Sequence, residues 1–242
     1  IIVIKGGPGV GKSTFMKKIG SEMIDRGYDV EFMHCSSDNN SLDGVVIPAA
    51  KVALIDGTAP HIVDPKNPGA VDEIINFGEY WNEDGIRKYK KEVISDNKEV
   101  GKIFARAYRY LKAAAAIYED TVVINGWAID SAKVNAVAAK IINDLFIPEG
   151  IAVKEGKQRH LFASAITPDG LKNYLDSILT TERVYEIKGQ QGTGTDKVLE
   201  KIRTAAVERG YYVESYYCAL NPHKLEHLVI PGLNVSFTTS NK

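Results

Sequence analysis

IIVIKGGPGVGKST, residues 1–14, runs a hydrophobic strand straight into Gly6, four further residues, and then Gly11-Lys12-Ser13. A helical pattern follows, with apolar residues at Phe15, Met16, Ile19 and Met23. Strand, glycine-rich loop and helix in that order are the setting in which this spacing cradles phosphate. The glycines let backbone N–H groups turn inward at the positive end of the helix. Gly6, Gly7, Pro8, Gly9, Val10, Gly11, Lys12, Ser13 and Thr14 are therefore the candidate binding loop. Lys12 is placed to reach the β- and γ-phosphates, and Ser13 to offer a hydroxyl to Mg²⁺. The implied ligand is a nucleoside triphosphate with Mg²⁺.

Working outward, Gly27 closes the helix and Tyr28 to Cys35 reads as a second strand. Ser36-Ser37-Asp38-Asn39-Asn40 is a polar loop, and Ser41 to Val46 reads as a short helix before Pro48. Lys51 to Asp56 (KVALID) is the next strand, apolar until its acidic end. A carboxylate there suits a Walker B role, holding Mg²⁺ at the strand's carboxyl edge. Asp56 is thus a candidate catalytic and metal residue with Ser13. Asp38 ends the second strand on the same edge and reads either as a general base or as a turn former. His34 and His61 are isolated, which favours packing or capping over metal binding. Asp43 reads as a surface or helix-end residue.

The opening pattern recurs. Residues 187–242 align with 4–59 at a constant offset of 189 − 6 = 183, without a gap, and 18 of the 56 pairs are identical. Gly6/Gly189, Gly9/Gly192, Gly11/Gly194, Cys35/Cys218 and Val46-Ile47-Pro48/Val229-Ile230-Pro231 are among them. A period this long implies duplication of a domain and not a solenoid array. The chemistry is not duplicated. Lys12 becomes Thr195, Ser13 becomes Asp196, Asp56 becomes Thr239 and Asp38 becomes Asn221. Lys197 lies two positions past the missing lysine, a sterically poor substitute. The second copy is expected to be catalytically silent.

The 242 residues suit one large or two modest domains, and a net charge of −1 argues against nucleic acid as the main partner. No apolar run approaches the roughly 20 residues of a membrane helix, and no signal peptide is visible. Cys35 and Cys218, at equivalent places in two copies, read as buried apolar residues. A cytoplasmic protein is expected. Residue 1 lies inside a strand without an initiator Met, and residue 242 stops just past the second copy's last strand. From such ends either a fragment of a longer protein or an edited chain is expected.

Between the copies the pattern turns helical. Ala70 to Phe77, Gly85 to Ser95 and Asn97 to Glu119 read as helices, and Thr121 to Ile124 as either a strand or a continuation. Asp130 caps a helix over Ser131 to Phe146, whose Val134, Val137, Ala138, Ile141, Ile142 and Leu145 form an apolar stripe. Packing within the chain or against another subunit would use that stripe. A lid carrying Arg87, Lys88, Lys90, Arg106 or Arg109 to the phosphates is the alternative. Arg159 to Ile166 reads as a strand and Gly170 to Leu179 as a helix.

The expected architecture is an α/β P-loop NTPase: a parallel sheet with helices on both faces, tandemly duplicated, with a helical insertion after the first copy. A first domain over 1–150 would include a helical hairpin at about 82–146. A second, degenerate and shortened one would cover 151–242. Lys5 to Thr14, His34-Cys35-Ser36-Ser37-Asp38, Ser41-Leu42-Asp43-Gly44 and Ile55-Asp56-Gly57-Thr58-Ala59-Pro60-His61 resemble a family of bacterial double P-loop ATPases of unassigned cellular role. Ala107 to Ala114 and Arg159-His160 extend the resemblance over most of the chain. It implies nucleotide binding and supplies no physiological substrate. In that family the second loop is often intact, so Thr195 and Asp196 depart from it.

Hydrolysis of ATP at the first loop, using Lys12, Ser13, Asp56 and Mg²⁺, is the leading expectation. A nucleotide or small-molecule kinase is a second, and a nucleotide-dependent switch or scaffold with little turnover a third. No Asn-Lys-x-Asp motif reads guanine, which favours ATP. A homo-oligomer or an unidentified protein partner is compatible with the sequence.

Overall fold

The computed structural model describes residues 1–59, 62–146 and 150–240. The chain divides into two units, Ile1–Glu99 and Val100–Lys242. The first contains β1 (Ile2–Lys5), α1 (Lys12–Asp25), β2 (Glu31–His34), β3 (Leu42–Ile47), β4 (Val52–Asp56) and β5 (Glu73–Asn76). A 3-10 turn (Phe77–Tyr80), α2 (Glu83–Lys88) and the start of α3 (Lys90–Gly126) follow. The strand order is β2-β3-β4-β1-β5, with β4, β1 and β5 parallel.

The expected parallel sheet is not what forms. β3 runs antiparallel to both β2 and β4, so the sheet is mixed. Leu42–Ile47 is the stretch whose flanking Ser41 and Pro48 suggested a short helix. Its Leu42, Val45 and Ile47 are buried instead on a central strand, where a short apolar run is ambiguous by periodicity alone. The connections enforce the reversal. β3 and β4 are joined by residues 48–51, far too few for the crossover that parallel neighbours need. Lys51 takes a left-handed φ of 56° in that turn. Ala70 to Phe77, expected as helix, instead supplies β5 on the open flank of β1.

The second unit holds the rest of α3, then α4 (Ser131–Phe146), β6 (Gln158–Phe162), β7 (Ser164–Thr167) and β8 (Gly170–Asn173). After these come α5 (Leu175–Ile178), β9 (Arg183–Lys188), α6 (Thr195–Glu208), β10 (Val213–Tyr217), β11 (Leu225–Ile230) and β12 (Val235–Ser240). Its main sheet, β6-β10-β11-β12-β9, is also mixed. β11 pairs antiparallel on both sides, while β10–β6 and β12–β9 are parallel. The expected helix over Gly170 to Leu179 is instead strand β8, paired antiparallel with β7, followed by one helical turn. β9-α6-β10-β11-β12 repeats the order and sense of β1-α1-β2-β3-β4. Gly11 and Gly194 share a φ of 91°, and Asn234, at 50°, stands where Lys51 does.

α1 packs on β3 and β4; α6 packs on β10, β11 and β12, and α4 on α6. Leu175 and Ile178 of α5 pack with Tyr216 and Val229, which alternate along β10 and β11 with the residues that face α6. Ile4, Met16, Leu42, Val45, Ile47 and Leu54 make the first core. Leu199, Ile202, Leu225, Leu228, Ile230 and Phe237 anchor the second, which takes in Ala138 and Phe146 of α4. Each such large side chain contributes about 1.5–3 kcal/mol by leaving water. Helix α3 continues through Thr121 to Ile124, and none of its 37 residues is buried.

Candidate functional site

Loop 6–11 follows β1, and β4 lies alongside β1 in register Ile4↔Asp56. Because these two strands are parallel, their carboxyl ends share one edge even in a mixed sheet. Lys12 and Asp56 are thereby brought together. Lys12 is buried, and its Nζ donates to Gly6 O and Gly7 O, both at 2.8 Å, and stands 3.5 Å from Asp56 Oδ2. The other Asp56 oxygen accepts from Thr58 N at 2.9 Å. Helix α1 begins at Gly11 with no side-chain cap and no acidic residue in its first turn. Its leading N–H groups thus keep their positive end for an anion.

Ser13 Oγ accepts from Leu42 N at 2.9 Å, which ties the loop to β3. Asp38 sets the other end of that link. Its carboxylate accepts from Ser41 Oγ at 2.6 Å and from Asn40 N at 3.1 Å. The Ser41 hydroxyl first, and then the Asn40 amide, hold its pKa below the ordinary carboxylate value. That favours the turn-forming reading, since a carboxylate so stabilised is a weak base. His34 Nδ1 is bonded to Asn39 O at 3.0 Å in the same loop. Asp43 lies on β3, not at a helix end. His61 and Pro60 lie outside the described residues.

The sequence did not single out Trp81. After β5 the 3-10 turn folds Phe77 against Phe15 at 5.4 Å between ring centres, and it brings Trp81 onto the loop. A Cβ added at Gly7 would stand 3.1 Å from the indole, so the ring rests on bare loop backbone. The available signal was the aromatic run Phe77, Tyr80, Trp81. Two of the basic residues considered for a lid engage their own helices. Arg87 pairs with Glu83 at 2.6 Å, and Arg106 lies over the Tyr110 ring at 5.7 Å.

The second loop meets a different neighbour. Asn125 Nδ2 of α3 donates to Gln191 O at 2.8 Å. A Cβ at Gly192 would fall 2.3 Å from Val122 O, and one at Gly194 3.1 Å from Val134. Asp196 occupies the first turn of α6 and offsets the helix dipole by itself. A small cavity of about 140 Å³ remains, lined by Gly189, Gln190, Gln191, Thr195, Lys224, Glu226, Thr239 and Ser240. Its cation is Lys224, not Lys197, and it stands at the position equivalent to Ser41. Lys224 Nζ donates to Tyr118 Oη at 2.9 Å and pairs with Glu226 at 3.4 Å. Burial lowers its pKa, but the Tyr118 hydroxyl and Glu226 outweigh that and leave it raised.

A larger groove of about 410 Å³ runs along the carboxyl ends of β6 and β10, with His160 stacked on Tyr217. Among the described residues no cluster of three His, Cys, Asp or Glu side chains forms a metal site, and no helix is long and apolar enough to cross a membrane. Both cysteines are free thiols. No family model, curated protein or solved structure matches this chain.

Proposed function

We propose that the first unit binds a nucleoside triphosphate, most simply ATP, at loop 6–14 and hydrolyses it slowly with Mg²⁺. The observation that supports this best is the Lys12 ammonium, held 3.5 Å from Asp56 over an uncapped helix start. Phosphate oxygens entering the loop exchange with the Gly6 and Gly7 carbonyls as partners of Lys12, and the N–H groups of the loop and of α1 take the rest of the charge. Ser13 Oγ and the Asp56 carboxylate are hard oxygen donors, and they fit an ion that takes one or two protein ligands beside phosphate and water. Mg²⁺ so bound supplies charge neutralisation between the phosphate oxygens. Asp38 positions Ser41 and Leu42 and through them Ser13, and it contributes little as a base. Turnover is accordingly low.

The second loop serves as a socket for α3 and α4 and carries no chemistry. That arrangement also favours a second reading, a nucleotide-responsive switch with minimal turnover. Two free thiols and an intracellular ligand fit a cytoplasmic site of action. Phosphate release with ATP and Mg²⁺, measured beside a thermal shift and beside Lys12→Ala, separates these readings. Release and shift that both vanish in Lys12→Ala support hydrolysis at the first loop. A Lys12-dependent shift without release supports the switch. The absence of both removes the nucleotide reading.

A further inference from the structure

We propose that Trp81 is the platform on which the base of the bound nucleotide stacks. The inference rests on the nucleotide reading of loop 6–14 and adds a residue and a mode of base recognition to it. β1 lies between β4 and β5. β4 delivers Asp56 to one flank of the loop, and Ser13 and Asp56 fix the Mg²⁺ and γ-phosphate end of a triphosphate there. The base lies at the other end of the phosphate chain. On the opposite flank, β5 leads into Phe77, Gly78, Tyr80 and Trp81. The Trp81 ring is seated against Gly7 and Gly78, both without a Cβ to hold it off. Trp81 nevertheless stays 42% exposed, beside the 83% exposed Tyr80. An indole anchored on a phosphate loop and open to solvent offers a π-surface to any base.

Stacking of this kind is tolerant of base identity, since every base has a π-face. It therefore complements a chain without a guanine-reading Asn-Lys-x-Asp motif. The ring itself does not discriminate ATP from GTP, and it contributes to the nucleoside and nothing to the phosphates.

The test uses the full chain with Trp127→Phe, which leaves Trp81 as the single tryptophan of the two. ATP, GTP and inorganic tripolyphosphate, each with Mg²⁺, are titrated by fluorescence and calorimetry. The expected result is that both nucleotides quench Trp81 while tripolyphosphate binds without quenching. Trp81→Ala then weakens ATP about 5- to 100-fold and leaves tripolyphosphate within about twofold, and Trp81→Phe retains most of the affinity. An unchanged ATP affinity in Trp81→Ala overturns the proposal. So does an equal loss for ATP and tripolyphosphate, which would make Trp81 a support for the loop. Binding of tripolyphosphate as tightly as ATP by the parent overturns the platform but leaves the phosphate loop standing. Failure to bind either removes both.

Discussion

The side-chain amide of Asn125 donates to the carbonyl of Gln191 at 2.8 Å, so the end of helix α3 is fastened to the second glycine loop. Val122 sits one turn earlier, with its carbonyl against Gly192. Glycine at 192 is thus demanded twice, by a φ of 81° and by the approach of another backbone. Gly9, its counterpart, has a φ of 76° and open space around its Cα. Gly9→Ala should cost about 1–2 kcal/mol, the left-handed backbone term alone. Gly192→Ala should cost clearly more, because a Val122 carbonyl must also move. Asn125→Ala should cost about 1 kcal/mol. Denaturant unfolding of the three variants checks the ranking, and equal costs for the two glycine changes would show that the helix contact is weak.

Restoring the lost chemistry should not restore a site. Thr195→Lys with Asp196→Ser rewrites the second loop to the first loop's Lys-Ser, yet Asn125, Val122 and Val134 still stand on it. The double variant should show no second nucleotide-binding event by calorimetry. A stoichiometry that rises from one to two would mean that α3 leaves the socket readily.

Asp56 and Lys12 make opposite demands on a ligand. With Asp56→Asn, the loop keeps Lys12 on the Gly6 and Gly7 carbonyls but loses the anion that competes with phosphate for the ammonium. Nucleotide without Mg²⁺ should bind at least as tightly as to the parent. The gain from added Mg²⁺ should fall by tenfold or more, about 1.4 kcal/mol or greater. Titrations with and without the metal read both effects, and an undiminished Mg²⁺ dependence would place the carboxylate ligand elsewhere.

The loop was legible because its chemistry is local. Gly11, Lys12 and Ser13 are adjacent residues, and only β1 before them and α1 after them are needed to aim them. The sheet was not legible, because its sense depends on Leu42–Ile47. Six residues with Ser before and Pro after satisfy a short helix as well as a strand, and what selects the strand is burial between β2 and β4. The same ambiguity hid Glu73–Asn76, whose partner β1 lies some 70 residues earlier in the chain. Trp81 depends on β5 and was invisible for that reason. At the second loop the missing lysine was plain from Thr195. That Asn125 would hold that loop and Lys224 would line its cavity follows only from tertiary packing.

His227 on β11 supplies a pH dependence confined to the second unit. Its Nδ1 lies 2.8 Å from Thr238 Oγ1, and its residue is nearly enclosed. Burial, reinforced by Lys224 and opposed by Glu226, lowers its pKa below the ordinary 6.5. The unfolded chain therefore binds this proton more readily than the folded one. Stability from the neutral imidazole is complete above about pH 6.5 and declines as pH falls from there toward the lowered folded value. His227→Gln keeps a polar partner for Thr238 and removes the titration. Amides of β10, β11 and β12 should exchange faster at about pH 5.5 than the intrinsic rate change accounts for in the parent, and not in His227→Gln. An equal acid response in both proteins would assign it to another group.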